Sequence, residues 1–185
     1  TNVKAVSASA TKVNLTWKDN SANETGFKIY RKVGSGAWKL LTKTKSNIKS
    51  YNDTSATKNS STINYQYYTA AYNASGNSTN SFATAVPYQP ANLKAEKGET
   101  ATSIQLSWTD KSSNETDFEI FRKTGNCAAT SKWVKVAALG VNKNTWTDTQ
   151  CASGSAYAYK IRAYKKTGAI LPAFGYSLYS NCASA

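Results

Sequence analysis

The sequence predicts an all-β protein built as two tandem β-sandwiches, each of about seven short strands. Two observations carry that expectation. The stretch LTWKDNSANETGFKIYRK at residues 15–32 returns as LSWTDKSSNETDFEIFRK at residues 106–123, displaced by 91 positions in a chain of 185. A repeat at that period means two copies of one structural unit. Around it, apolar and polar residues alternate over short runs punctuated by Asn, Ser, Gly and Asp, with no long helical periodicity.

The first copy opens with a strand over residues 3–7. In residues 12–17, Val13, Leu15 and Trp17 alternate with Lys12, Asn14 and Thr16, the period of a half-buried strand. DNSANETG is turn chemistry, because Asp, Asn and Ser bond their own backbone and Gly26 tolerates unusual angles. Phe27 and Ile29 then alternate with Lys28 and Tyr30 in a third strand. Short strands follow at residues 38–41 and 49–53, a long one with Tyr65, Tyr67, Thr69 and Ala71 in alternation, and a last one at residues 82–86.

A short linker at residues 88–90, stiffened by Pro90, divides the chain into residues 1–88 and 89–185. The second copy runs in the same order, with strands over residues 93–96, 104–108, 118–123, 133–137, 145–148, 157–164 and 174–179.

Trp17 and Trp108, the two NET loops, and Tyr65-Gln-Tyr67 with Tyr157-Ala-Tyr159 resemble fibronectin type III domains, particularly those of bacterial secreted and cell-surface proteins. The resemblance covers nearly the whole chain and implies two immunoglobulin-like sandwiches. It implies that Tyr65 and Tyr157 form the tyrosine corner, a phenol hydroxyl tying the connection between the fifth and sixth strands to nearby backbone. The family usually places Leu shortly after the fifth-strand Asp, where this chain has Ala56 and Cys151, so the core beneath that corner is expected to be thinner or altered.

The copies differ in spacing. Their offset is 91 at Trp17 and Trp108, 95 at Trp38 and Trp133, and 92 at Tyr65 and Tyr157. Cys127 falls in the lengthened loop after the third strand, and Cys151 in the shortened connection before the sixth. In the resembled fold those loops share one end, which implies a Cys127–Cys151 disulfide. Closing that loop of 25 residues would contribute roughly 3.5 kcal/mol by chain entropy and would place the chain outside the cytoplasm. The last strand runs toward the same end. Cys182 is therefore left open: captured by one of the other two, paired with another chain, or unpaired.

Enzymatic chemistry is not expected. The chain has no His, so Ser-His-Asp and Cys-His arrangements are impossible, and no glycine-rich phosphate loop follows a strand. No cofactor or metal is expected: three cysteines without histidine make a poor zinc set, and turn bonding accounts for the oxygen-rich NET loops. The net charge is +13, spread as 11 basic and 3 acidic residues in 1–88 and 12 and 7 in 89–185. No dense basic stripe points to nucleic acid, and lysines decorating exposed sheet edges explain the excess. No apolar run reaches membrane-spanning length, so membrane insertion is not expected. The chain starts without Met or a signal-peptide pattern, which reads as a mature or excised piece. Seven Asn-x-Ser/Thr sequons accompany the high Asn, Ser and Thr content.

Two further features point to contacts. Trp38, Trp133 and Trp146 are candidates for stacking on sugar rings, against the simpler reading of ordinary cross-strand packing. Ile170, Leu171 and Pro172, within an apolar GAILPA, are expected to pack against the preceding domain or a partner. The function expected is therefore a non-catalytic, extracellular or cell-surface rod for display, adhesion or head-to-tail filament assembly, with protein partners that include copies of itself. The alternative is a linker or carbohydrate-binding accessory of a secreted polysaccharide-degrading enzyme.

Overall fold

A computed structural model describes residues 2–9, 11–56, 63–166 and 174–185. All its regular structure is β, and none of the described residues forms a helix long and apolar enough to cross a membrane. The chain divides into two compact units, Thr1–Val86 and Pro87–Ala185.

The first unit contains β1 (Lys4–Ser9), β2 (Lys12–Thr16), β3 (Gly26–Val33), β4 (Lys39–Lys43), β5 (Ser50–Asp53), β6 (Tyr65–Asn73), β7 (Gly76–Asn77) and β8 (Ser81–Thr84). Sheet order is β1-β2-β5 in one layer and β4-β3-β6-β7 in the other, with β8 also on β6. All these pairs are antiparallel. Alternation decides what lies between the layers. Val13 and Leu15 of β2 and Phe27 and Ile29 of β3 are buried, with Trp17 tilted against Phe27 at 5.4 Å between ring centroids. Each such side chain removed from water contributes about 1.5–3 kcal/mol. Gly26 opens β3 because a Cβ there would lie 1.9 Å from the Thr44 carbonyl oxygen.

The second unit repeats the plan with β9 (Ala91–Lys97), β10 (Ile104–Thr109), β11 (Asp117–Thr124), β12 (Val134–Leu139), β13 (Thr145–Asp148), β14 (Tyr157–Lys166), β15 (Phe174–Tyr176) and β16 (Ala183–Ser184). Its layers are β13-β10-β9 and β12-β11-β14-β15, with β16 on β14. Leu106, Trp108, Phe118, Ile120, Tyr159 and Ile161 fill its core. The predicted fold class is the observed one: tandem all-β sandwiches.

The disulfide differs from expectation. Cys127 pairs with Cys182, their Cα atoms 5.9 Å apart, and Cys151 is a buried free thiol. The reason lies in the position that the family fills with Leu. Cys151, like Ala56 in the first unit, points into the core, where its Sγ lies 3.4 Å from the Tyr159 hydroxyl. Cys127 sits on an exposed loop that Lys123 draws in by donating to its carbonyl oxygen at 2.9 Å, and it meets Cys182 near the chain's last strand.

Candidate binding face

The repeated motif is scaffold. Asp19 accepts from the Ser21 amide at 3.0 Å, and Asp110 from the Ser112 amide at 2.9 Å, which closes each loop on itself. The Glu of each NET reaches across to the next loop. Glu24 accepts from the Asn47 amide at 3.0 Å and Glu115 from the Asn142 amide at 3.1 Å. Both asparagines hold positive φ, 60° and 56°, a conformation that Asn tolerates better than most residues. The Asn47 amide holds the Glu24 carboxyl below its usual range. In the second unit burial is deeper: Asn114, Glu115 and Lys165 are almost inaccessible. Burial, with Glu115 nearby, lifts Asp110 to about 6 against the pull of the Ser112 amide. It pushes the Lys165 ammonium down to about 8, a shift that Glu115 partly offsets.

A second repeated element lies at the sheet ends. Asp53 is fully buried and accepts from Arg31 at 2.8 Å and from the Tyr67 hydroxyl at 2.8 Å, while Ser55 closes back on its other oxygen. Asp148 does the same with Arg122 at 2.8 Å and Tyr159 at 3.0 Å. Burial works to raise Asp53, but the hydrogen bonds from Ser55, Tyr67 and Arg31 outweigh it and hold the carboxyl low. Sequence reasoning singled out Tyr65 and Tyr157 and missed the second tyrosine of each pair. The signal was the parallel recurrence of Arg31 with Asp53 and Arg122 with Asp148. Tyr157 accepts from the Ala152 amide at 3.1 Å, and Arg122 lies 4.9 Å from its ring centre. Tyr65 is buried beside Tyr67, with Arg31 5.4 Å from its ring centre.

The outer faces of the larger sheets carry the accessible aromatic residues. In the first unit the register sets Tyr30, Tyr68 and Phe82 side by side across β3, β6 and β8. Tyr30 stacks on Tyr68 at 4.5 Å with an interplanar angle of 16°, and Trp38 meets Tyr68 edge-on at 4.8 Å. Phe82 stays 60% exposed. The cluster is an apolar platform edged by Lys32, 6.0 Å from the Trp38 ring centre.

The second unit has the same geometry with different chemistry. Phe121 stands where Tyr30 does, and it faces Lys160 rather than a tyrosine. The Lys160 ammonium lies 3.9 Å from the Tyr179 ring centre and 4.6 Å from that of Trp133. Arg162, two residues along β14, lies 3.8 Å from the Tyr176 ring centre and 5.4 Å from that of Tyr179. Rings and cations therefore alternate along the face. Glu119 answers two charges, pairing with Arg162 at 2.7 Å and Lys135 at 3.0 Å.

Of the three candidate tryptophans, Trp38 and Trp133 lie on these faces and Trp146 does not. Trp146 stands on β13 directly opposite Leu106 of β10 and so shares that residue's inward direction, packing on the core. Ile170, Leu171 and Pro172 lie outside the described residues.

The segment of two fibronectin type III domains from chicken tenascin is similar to this chain with a TM-score of 0.54, at 13% identity, over 100% of this chain and 97% of that chain. The FN1–FN3 domains of chicken CNTN1 match at a TM-score of 0.41 and 18% identity, over 100% of this chain and 62% of that chain. No protein-family model matches the chain, and no curated protein sequence matches it. The tenascin segment shares the tandem-sandwich fold.

Proposed function

We propose that the chain is a non-catalytic, extracellular interaction module, of the fibronectin type III kind found in bacterial secreted and cell-surface proteins. It works by presenting the outer faces of its larger sheets to a macromolecular partner. The observation that carries this reading is the placement of Tyr30, Trp38, Tyr68 and Phe82, and of Phe121, Trp133, Tyr176 and Tyr179, on accessible sheet faces. Aromatic residues outside a core that they could have joined are the usual mark of contact surfaces. The Cys127–Cys182 pair supports an oxidising compartment. Several carboxylates that an enzyme would use are held in ion pairs: Asp53, Asp148 and Glu119.

Display or adhesion fits better than head-to-tail filament assembly. A net charge of +13 opposes association between copies at ordinary salt. Fractionation of the source organism's culture, probed with an antibody to this chain, tests the reading. The protein is expected in the secreted or surface pool with Cys127 and Cys182 joined under non-reducing digestion. Recovery from the cytoplasm with free thiols would sink it.

A further inference from the structure

Resting on that reading of the sheet faces, we propose that the cation-and-ring face of β11, β14 and residues 176–179 binds an acidic polysaccharide. A uronate carboxylate would sit on Lys160, beside Arg162, whose own charge Glu119 already answers. The first argument is charge. Lys160 is half-buried among Tyr179, Trp133 and Phe121, yet none of the four ion pairs among the described residues includes it. The charges nearest it are of the same sign. Burial, then Arg162 and Lys123, push the Lys160 ammonium below its ordinary value. An anion docked there offsets both the repulsion and the cost of burial through a charge-assisted contact.

The second argument is internal comparison. The first unit holds Tyr68 at the matching register position, stacked on Tyr30, so the sandwich does not need a cation there to pack. Lys160 is a departure from the working aromatic solution. With it, the face gains cations between rings whose edges are themselves electropositive.

The third argument selects the class of polymer. Lys160 and Arg162 lie on β14, which is flanked by β11 on one side and β15 and β16 on the other. β15 pairs with Tyr164–Lys166 and β16 with Ala158 and Tyr159, and between them Ser177 and Ser180 exchange hydrogen bonds with Ala163 and Ile161, so that edge of β14 is occupied and a polypeptide cannot add there as a strand. A polymer recognised through side groups and ring faces suits such a mid-sheet surface. Tyr176, 40% exposed and with Arg162 3.8 Å from its ring centre, supplies apolar surface beside the cations for the C–H face of a pyranose.

The test is isothermal titration of the whole chain with oligogalacturonate, dextran and poly-L-glutamate at low and moderate salt. Lys160→Tyr copies the first unit, and Lys160→Gln provides a second variant, with near-ultraviolet circular dichroism confirming the fold of each. Expected is binding of oligogalacturonate that weakens with salt and falls by about tenfold or more in both variants, the scale of one charge-assisted contact. Lys12→Gln, on β2 in the other layer of the first unit, removes the same charge and should leave it unchanged. Undiminished binding by both variants, or no binding to oligogalacturonate, overturns the proposal. Equal affinity for poly-L-glutamate also overturns it, while leaving the broader interaction-module reading in place. Cytoplasmic recovery in the fractionation above would remove that broader reading instead.

Discussion

Asp53 and Asp148 are where single atoms matter most to each sandwich. Each carboxylate is buried and accepts from an arginine and a tyrosine hydroxyl. Asp53→Asn removes the charge but leaves Arg31 and Tyr67 in place. It should cost the first unit about 2–3 kcal/mol in urea unfolding, the lower end for a buried pair because Arg31 is partly solvated. The pH dependence follows from direction. The folded pKa of Asp53 lies below its ordinary 3.8, so the contribution is complete above about pH 4 and is lost as pH falls through the folded value. Wild type should lose first-unit stability below pH 4 more steeply than the Asn variant. Lys165 acts in the opposite window. Its folded pKa, about 8, lies below the ordinary 10.5, so the unfolded chain binds more protons between those values and second-unit stability rises with pH there. Carbon NMR of the Lys Cε groups should show one lysine titrating near 8, and a uniform set near 10.5 would contradict it.

At the scale of elements, loops tie strands together more than hydrophobic area alone would suggest. The Cys127–Cys182 bond closes a sequence separation of 55, which by chain entropy stabilises the second unit by about 4 kcal/mol. Reduction, or Cys127→Ser with Cys182→Ser, should lower the second unit's Tm and leave the first unit's unchanged, as read by differential scanning calorimetry. Glu115→Ala should unpin the loop carrying Asn142 and raise amide exchange between β12 and β13. Much of this was legible. Strand alternation located the core residues Val13, Leu15 and Trp17, because period two separates inward from outward side chains. The NET repeat announced a common loop. The partner of that loop's Glu was hidden because an asparagine at positive φ looks like any other turn residue. The disulfide was misread because loop proximity says which ends meet but not which way a side chain points. Cys151 occupies a core position, and only the family's leucine at that place hinted so. Trp146 stayed open between stacking on a sugar and packing for the same reason: its direction is fixed by register against Leu106, which single-strand patterning does not supply.

For the whole molecule, fixed positive charge governs association. At +13, copies should repel, so sedimentation velocity should show a monomer at 50 mM salt. The charge total is plain in the sequence. The placement of two of these cations, Lys160 and Arg162, in a ring-lined row on β14 required the register that brings Lys160 beside Phe121 and Trp133. This row is the proposed binding face. Amide and aromatic NMR shifts of the whole chain, followed during oligogalacturonate addition, test it most directly. Perturbations should centre on Phe121, Trp133, Lys160, Arg162 and Tyr179. Saturating oligosaccharide that leaves those resonances in place, or moves only residues elsewhere, would rule out binding at this row.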